Sequence, residues 1–510
     1  MPLMGIDIGT SGARTLIIDE EGALLGAATA EYPLSTPRPG WAEQDPRDWW
    51  RATTETVPAA LAAAGLRGDA IRGVGLSGQM HGSVFLDARQ EVIRPALLWC
   101  DQRTQAQCDW ITERVGRERV VELLSNPVLT GFTAPKIIWL REHEPEAYAR
   151  VRQVLLPKDY IRYRLTGAFC TEVSDASGTA LFHVRERRWA TEVLDAIDVP
   201  AAWLPECFES AIPSAEVSAA AADATGLAAG TPVVGGGGDQ AAGAVGSGIV
   251  ERGIVSSTVG TSGVVFAHSD EPAVDPELRV HTFCHAVPGK WHQMGVMLSA
   301  GGSLRWYRDA IAAPECAAGR ERGVDPYVVI AEGAAEAPPG CEGLIFLPYL
   351  TGERTPYPDP NARGVFFGLT LRHDRQHLAR AVMEGVAYGL RDSFEILAGM
   401  GVPIDQVRAS GGGARSPLWR QIQADVTGRE HVTLNVDEGP AFGVALLAGV
   451  GAGVWQSVPA ACQATVQVRQ ACAPDPERQT TYNRYYPIYQ ALYASLKDRF
   501  ADVARASGQT

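Results

Sequence analysis

Short apolar runs that end in glycine recur along the chain, and this pattern is typical of buried strands that run into tight turns. In the first half, such runs predict strands at 4–8, 14–19, 23–32, 71–76 and 84–87. Helical spacing predicts a helix over 46–64, with Asp45 as N-cap and Pro46 as the first helical residue, and mostly helical structure over 101–151. The alternation of strands and helices predicts an α/β fold.

The second half begins with a repeat of the first. The tetrapeptide Gly-Thr-Ser-Gly stands at 9–12 between two predicted strands, and again at 260–263 between predicted strands at 253–259 and 264–267. This repeated strand–turn–strand unit predicts two related domains, each with a glycine turn whose backbone N–H groups can bind phosphate. Further elements are predicted downstream, as strands at 364–369 and 407–410 and helices at 377–400 and 416–427.

The chain has 510 residues, which is too long for a single hydrophobic core and predicts two domains of about 250 residues each. We expect the first domain at 1–246 and the second at 247–500. A flexible tail is expected at 501–510. Residues 312–340, rich in Ala, Glu, Gly and Pro, are expected to form a surface insertion.

Composition and charge exclude several classes of protein. The net charge of −14 argues against nucleic acid or an anionic membrane as the main partner. Nine scattered cysteines without a C-x-x-C pair predict free thiols in a reducing, cytoplasmic setting. No apolar run reaches the roughly 18 residues of a membrane-spanning helix, and the N-terminus leads into a strand rather than a signal peptide.

The most informative stretch is the glycine run at 235–238, which follows two valines and ends in Asp239. Glycine loses the most backbone freedom on folding, so four in a row indicate a place where another molecule approaches the backbone closely. Asp239 is the first group after them that can take a proton. The alternative interpretation is an aspartate that only caps the following helix. Other glycine-rich loops in the same strand-then-turn setting weaken that alternative.

Asp7 and Asp239 are isolated acids in strand-to-turn settings, without a P-loop, a protein-kinase motif or a His/Cys metal cluster. Phosphoryl transfer needs a phosphate cradle, a divalent metal and a base for the acceptor hydroxyl. Glycine turns supply the cradle, one carboxylate can hold Mg²⁺, and the other can take the proton. A G-x-G-x-x-G match at 73–78 is set aside, because its glycines lie partly within a strand and no clear helix follows.

Six ordered segments resemble the FGGY family of carbohydrate kinases and span most of the chain. They are a first phosphate loop at 5–12, a substrate segment at 76–82, one signature at 131–140, the Asp239 loop at 233–246, another signature at 364–385 and an adenosine loop at 411–419. The resemblance implies two actin-like, RNase-H-like domains with mixed sheets flanked by helices, and an active site in the cleft between them. It also implies ATP and Mg²⁺ as cofactors and a small sugar as acceptor.

The resemblance assigns roles residue by residue. Asp239 is expected to be the base and Asp7 the carboxylate on the Mg²⁺ side, with both close to the metal. The expected phosphate and nucleotide contacts are Thr10, Ser11, Gly12, Arg14, Gly260, Thr261, Gly412, Gly413 and Ser416. Gly301-Gly302 departs from the family, where many members carry a polar residue, so no nucleotide contact is assigned there.

The expected sugar contacts are Gln79, Met80, His81, Trp99, Asp101 and Gln240. Met80-His81 favours family members that phosphorylate D-xylulose, and D-ribulose, gluconate, glycerol and pentitols remain alternatives. Trp99 is equally compatible with core packing, and Asp101 with a cap. Lys136 and Trp139, at helical spacing, are interpreted as structural.

Two other classes of function are consistent with this fold. A sugar sensor without catalysis is expected to lack the base or to carry a DNA-binding segment, whereas Asp239 is present and neither end has a basic helix-turn-helix extension. An actin-like chaperone ATPase has no obvious use for Gln79-Met80-His81. The oligomeric state is left open, with a homodimer as one alternative.

Overall fold

The computed structural model describes residues 1–507. In the first half, the strands are β1 (Leu3–Ile8), β2 (Gly12–Ile18), β3 (Leu24–Glu31), β4 (Glu43–Gln44), β5 (Val74–Gly78), β6 (Val84–Leu86), β7 (Ala96–Leu97), β8 (Gln153–Leu155), β9 (Cys170–Glu172), β10 (Phe182–His183), β11 (Arg188–Trp189), β12 (Glu206–Phe208), β13 (Pro213–Glu216), β14 (Pro232–Val234) and β15 (Gly237–Gly238). The helices are α1 (Pro46–Ala64), α2 (Gln105–Val115), α3 (Arg117–Leu124), α4 (Thr133–His143), α5 (Pro145–Arg150), α6 (Pro157–Thr166), α7 (Val173–Ala176), α8 (Thr191–Ile197), α9 (Ala219–Thr225) and α10 (Asp239–Gly246), with 3₁₀ turns at Ser177–Thr179 and Ala201–Trp203.

In the second half, the strands are β16 (Gly253–Val259), β17 (Gly263–Ser269), β18 (His281–Cys284), β19 (Trp291–Met297), β20 (Ile345–Leu347), β21 (Val365–Phe367), β22 (Ile404–Ser410), β23 (His431–Leu434) and β24 (Val468–Cys472). The helices are α11 (Gly301–Ala310), α12 (Ala313–Arg322), α13 (Pro326–Glu336), α14 (Arg375–Gly399), α15 (Gly412–Arg415), α16 (Pro417–Thr427), α17 (Gly439–Gly451), α18 (Val458–Thr465) and α19 (Pro476–Ala506), with a 3₁₀ turn at Cys341–Gly343.

The two main sheets have the same pattern of strand directions. The first runs β3-β2-β1-β5-β14-β13, and the second runs β19-β17-β16-β22-β23-β24, with β18 added at its outer edge. In both, two antiparallel pairings are followed by two parallel pairings and one antiparallel pairing. This confirms the two related α/β domains that the repeated tetrapeptide predicted.

Local capping explains several element boundaries. The carboxylate of Asp45 accepts a hydrogen bond from the backbone N–H of Arg47, and α1 ends at Gly65, which takes the left-handed conformation. Ser416 caps α16 by accepting from the N–H of Trp419. These boundaries are the ones that the Asp-Pro and Ser-Pro pairs predicted.

Two segments have more regular structure than the sequence expectations gave them. Residues 312–340, expected as a surface insertion, form α12 and α13, which are mostly exposed or partly exposed but bury Ile330 and Ala334 in the second domain's core. Residues 501–506, expected in a flexible tail, continue α19, whose apolar face buries Phe500 and Ala504. Residues 508–510 of the expected tail lie outside the described residues.

Helix α17 belongs to the second half of the sequence but packs against the first sheet, on β1, β2 and β5, and against α10. Glycines make this approach possible. A Cβ added at Gly5 would lie 1.8 Å from the carbonyl oxygen of Ala441, and one at Gly75 would lie 2.0 Å from that of Val444. On the helix itself, a Cβ at Gly443 would lie 1.8 Å from the carbonyl oxygen of Ala242 in α10. The two halves of the molecule are therefore joined by backbone-to-backbone packing.

The nine cysteines are free thiols, as expected. Within residues 1–507, no helix is both long enough and apolar enough to cross a membrane.

We predict that Gly75→Ala destabilises the protein, because the new methyl group would collide with the backbone of α17. Overpacking of this kind costs about 1–3 kcal/mol or more in the free energy of unfolding. Chemical denaturation would measure the change. Gly399→Ala is the control, since a Cβ there meets nothing within 4 Å. If both variants unfold at the same denaturant concentration, the packing argument is wrong.

Candidate active site

Asp7 and Asp239 lie at the same edge of the first sheet. Strands β1, β5 and β15 are adjacent and parallel, with Asp7 opposite Ser77 and Ser77 opposite Gly237. Asp239 follows β15 directly and begins α10. Neighbouring strands lie about 4.8 Å apart, so the two acids are separated by roughly 10 Å of sheet. The carboxyl ends of parallel strands are the usual place for a ligand site in such a sheet.

The second sheet presents its own carboxyl edge to the same space. The glycine turns after β16 and β22 begin at Gly260 and Gly411. A cavity of about 530 Å³ has Asp239 and Gln240 on one wall and Thr258, Ser410 and Gly411 on the other. The cleft between the halves therefore meets both strand edges, which agrees with the sequence expectation.

Burial raises the pKa of both acids. Asp7 Oδ1 is buried without a hydrogen-bond partner among the described residues, and burial raises the pKa of Asp7 to about 6, against the opposing effects of Ser77 and Arg14. Burial, and then the negative charge of Asp7, raises the pKa of Asp239 to about 7. A carboxylate with a pKa near neutrality is suited to accept a proton from a hydroxyl group.

The side-chain amides of Gln44 and Gln79 support the buried side of the first phosphate loop through hydrogen bonds. The N–H of Gly9 donates to the carbonyl of Gly12 over 3.0 Å, and Gln44 Nε2 donates to the carbonyl of Thr10 over 2.7 Å. Gln79 Nε2 in turn donates to Gln44 Oε1 over 2.9 Å. Gln79, expected as a sugar contact, is instead buried beneath this loop.

The outer side of the same loop remains available for a ligand. Ser11 is exposed, and Thr10 and Gly12 are partly exposed. Arg14 pairs with Glu438, immediately before α17, so the loop is tied to the second half of the chain.

Met80 contacts the Asp239 loop, and His81 contacts the 3₁₀ turn that follows α7. A Cβ added at Gly238 would lie 2.9 Å from Met80 Cγ, so Met80 packs directly against the residue that precedes Asp239. His81 has a φ of 69° and its Nδ1 is 2.6 Å from the carbonyl oxygen of Gly178. Because that oxygen only accepts, Nδ1 carries the hydrogen. Burial lowers the pKa of His81 well below its usual value, so the ring is neutral and Nε2 keeps an acceptor lone pair.

The backbone of His81 is fixed by a buried lysine. Lys136 Nζ donates to the carbonyl of His81 over 2.9 Å and to that of Gly131 over 2.6 Å. Burial lowers the pKa of Lys136 to about 7. Trp139, one turn further along α4, is also buried. Both residues occupy the structural positions expected for them.

The sequence left the roles of Trp99 and Asp101 open between sugar contact and structural support, and the structure places them in different environments. Trp99 is 40% exposed, and its Nε1 donates to Thr10 Oγ1 over 2.9 Å, so the residue is accessible beside the first loop. Asp101 is fully buried, where it pairs with Arg103 at 2.6 Å and accepts from the N–H of Ala42 at 2.7 Å. Asp101 is therefore a structural ion pair and is not accessible to a sugar.

The second glycine turn is held by backbone hydrogen bonds from the start of α11. The N–H groups of Gly301 and Gly302 donate to the carbonyls of Gly260 and Thr261 over 2.8 and 2.9 Å. A Cβ at Gly301 would lie 2.3 Å from the Gly260 oxygen. The unusual glycine pair thus supports the turn through its backbone, and Arg305 donates to Thr261 Oγ1 over 3.3 Å.

The expected adenosine residues divide into exposed and structural groups. Gly412 is exposed next to Gly411, which lines the cavity, whereas a Cβ at Gly413 would lie 2.6 Å from Val259 Cβ. The Ser416 hydroxyl is occupied as the cap of α16. Among these residues, Gly412 therefore offers the open backbone surface.

Sequence reasoning missed two supports of the site. Gln44 reaches the first loop from the residue before a helix cap, and Ser174 Oγ accepts from the N–H of Gly238 over 3.1 Å. Neither residue belongs to a motif with a chemical signature. Only the tertiary structure brings them to the loops.

Comparisons with known proteins agree on one family. Residues 3–246 match the N-terminal domain of the FGGY family of carbohydrate kinases, and residues 255–452 match its C-terminal domain. The chain is 40% identical to a xylulose kinase of Escherichia coli over 494 residues, 97% of this chain and 99% of that protein.

Solved structures of carbohydrate kinases superpose on nearly the whole chain. A xylulose kinase from Rhodospirillum rubrum superposes with a TM-score of 0.90 at 30% identity, covering 98% of this chain and 100% of that one. A gluconate kinase from Lactobacillus acidophilus superposes with a TM-score of 0.91 at 25% identity, covering 98% of this chain and 99% of that one.

We predict that Asp239→Asn lowers turnover by on the order of 10²–10⁴, because the amide cannot accept a proton. In the unaltered protein, kcat/KM should rise with pH through about 7, since the base acts only when deprotonated. The variant should lack this rise but bind ATP normally. A fall in its unfolding temperature at pH 8 would assign the loss to folding instead, because removing a buried charge should not destabilise the fold.

Proposed function

The chain belongs to the FGGY family of carbohydrate kinases, and we propose that it transfers the γ-phosphoryl group of ATP to D-xylulose, forming D-xylulose 5-phosphate and ADP. The observation that carries this proposal is the position of Met80, which packs against Gly238 immediately before Asp239 and is followed in the chain by the buried ring of His81. The xylulose kinases among its relatives, similar over nearly their whole length, support the choice of sugar.

In the proposed reaction, the acceptor hydroxyl of the sugar faces Asp239. Its proton moves to the Asp239 carboxylate as its oxygen bonds to the γ-phosphorus of ATP. The bond between that phosphorus and the bridging oxygen breaks, and ADP leaves with the bond's electron pair. The carboxylate is well matched to this task, because its pKa of about 7 leaves a large ionised fraction at neutral pH.

Asp7 and Asp239 are the residues that would hold Mg²⁺ with the nucleotide. Among residues 1–507, no group of three or more His, Cys, Asp and Glu side chains could hold a metal, so the protein supplies few ligands and the phosphates supply others. The buried, unpartnered Oδ1 of Asp7 fits a nearby cation. Bound Mg²⁺ would neutralise charge on the transferred phosphoryl group.

The sugar would lie between Met80, His81, Gln240 and the exposed face of Trp99. His81 Nε2 accepts a hydrogen bond from one hydroxyl, since Nδ1 is held by Gly178. Met80 packs against the carbon face of the sugar. A site that pairs with a particular hydroxyl discriminates strongly against analogues that lack it.

ATP would lie along the cavity toward the second domain. The turns at Thr10–Gly12 and Gly260-Thr261 would receive its phosphates through backbone N–H groups, with Arg14 nearby. Its adenosine would lie against Gly411-Gly412. The cavity extends from Asp239 to Gly411, which supports this orientation.

Gluconate is the second candidate, because a gluconate kinase shares the fold. A coupled ADP-release assay with D-xylulose, D-ribulose, gluconate and glycerol separates the candidates by kcat/KM. Preference for any sugar other than D-xylulose would refute the choice of substrate. A panel without a single active acceptor would refute phosphorylation of these sugars altogether.

We predict that His81→Asn raises the KM for D-xylulose roughly tenfold, the equivalent of one hydrogen bond, and leaves the KM for ATP unchanged. Asparagine tolerates positive φ and can still donate to Gly178, so the backbone should keep its shape. Steady-state kinetics with each substrate varied would measure this split. Equal changes in both KM values would contradict the proposed place of the sugar.

We predict that Asp7→Ala raises the Mg²⁺ concentration needed for half-maximal rate, because one carboxylate beside the phosphates is lost. The measurement is a Mg²⁺ titration at saturating ATP and sugar. Excess Mg²⁺ should restore part of the rate. An unchanged titration curve with full activity would exclude Asp7 from the metal's surroundings.

A further inference from the structure

A buried charged cluster lies directly beneath the Asp239 loop. Its members are Lys158, Asp159, Arg162, Glu172 and Asp175, all fully buried. Lys158 Nζ lies 2.7 Å from Asp159 and 3.1 Å from Asp175. Buried charges are usually paired, and here Lys158 and Arg162 lie among the three carboxylates, although neither oxygen of Asp175 accepts a hydrogen bond.

The Asp239 loop is hydrogen-bonded at two places, once by the cluster and once by Ser174, which is bonded to Glu172 of the cluster. At its start, Arg162 donates to the carbonyl of Val234 over 2.5 Å and to that of Gly235. At its end, the N–H of Gly238 donates to Ser174 Oγ over 3.1 Å. Gly238 immediately precedes Asp239, so the second contact acts one peptide unit from the carboxylate.

Glu172 orients the Ser174 hydroxyl. Ser174 Oγ donates to Glu172 Oε1 over 2.8 Å, which turns its lone pairs toward Gly238. Glu172 also accepts from the N–H groups of Ser174 and Asp175 and from Ser210 Oγ, so its two oxygens are fully engaged. The hydroxyl of Ser174 therefore has one stable orientation.

The segment that contains Ser174 also contacts His81, the residue proposed to bind the sugar. Four residues after Ser174, the carbonyl of Gly178 accepts from His81 Nδ1 over 2.6 Å. A rigid stretch of chain thus joins the group that would hold the sugar to the loop that carries the base. Productive transfer requires those two to be placed to within a fraction of an ångström.

We propose that Ser174, oriented by Glu172, is a positioning residue that sets Asp239 against the sugar held by His81. The inference rests on the proposed roles of Asp239 and His81. It gives Ser174 no contact with either substrate, so its loss should change the rate of transfer more than the binding of sugar or ATP.

The test compares Ser174→Ala with Ser210→Ala. Both serines are buried and both donate a hydroxyl hydrogen bond to Glu172, but only the Ser174 side chain accepts from Gly238. The measurements are the single-turnover rate of phosphoryl transfer, the KM for each substrate and the unfolding temperature. We expect Ser174→Ala to slow transfer roughly ten- to a hundredfold, the range that a small misplacement produces. Both KM values should stay within about twofold.

Ser210→Ala should lose similar stability but keep a transfer rate within about twofold of the unaltered enzyme. Ser174→Thr, which retains the hydroxyl, should recover most of the rate. If Ser174→Ala does not fold, Ser174→Cys has nearly the same volume and a weaker acceptor, and its slowed transfer would serve in its place. Equal rates for the Ser174 and Ser210 variants would overturn the inference, whether both fall or neither does.

The sugar panel separates this outcome from a failure of the proposed function. If the unaltered enzyme does not phosphorylate D-xylulose, the choice of substrate is refuted. The serine comparison then uses the acceptor that the panel identifies. An active enzyme whose two serine variants behave alike refutes only the positioning role.

Discussion

The geometry of the cleft depends on how closely α17 approaches the first sheet. The strands beneath that helix carry Asp7 and lead into the Met80-His81 turn, and α17 itself comes from the second half of the chain. At Gly5 and Gly75, backbone meets backbone with no room for a side chain. The Arg14–Glu438 pair lies at the beginning of the same helix. The position of α17 on the first sheet is therefore fixed by contacts that only glycine permits.

Buried charge has two different uses in this molecule. The Lys158–Glu172 cluster and the Asp101–Arg103 pair are ion-paired within the protein, and both hydrogen-bond to backbone groups that they hold in place. Asp7 has a buried oxygen without a protein partner, and burial raises its pKa along with that of Asp239. Ion-paired groups hold the scaffold, and the unpartnered oxygen of Asp7 lies at the strand edge where the proposed reaction would place a cation.

The sequence predicts most of the fold, because the fold depends on local signals. The Asp45-Pro46 and Ser416-Pro417 caps, the repeated glycine turns and the apolar runs are local in the chain. The α12–α13 pair was missed because its small residues, such as Ala334, become apolar packing only when a partner helix covers them.

The site was predicted less completely, for physical reasons visible in single residues. Motifs located the loops of Asp7 and Asp239, but not the direction in which each side chain points. Gln79 belongs to a substrate-like motif and yet braces a loop from beneath. Asp101 forms an ion pair with Arg103, two residues away. Ser174 accepts a hydrogen bond from Gly238, which lies 64 residues further along the chain. Such pairings are decided by tertiary packing, which a single sequence does not display.

The hydrogen bond from His81 Nδ1 to Gly178 has a physiological consequence. Because the ring is buried and its pKa lies well below the usual value, its charge stays constant across the range of pH found in living cells. A hydroxyl group bound at Nε2 would therefore meet the same uncharged acceptor in acidic and in neutral surroundings.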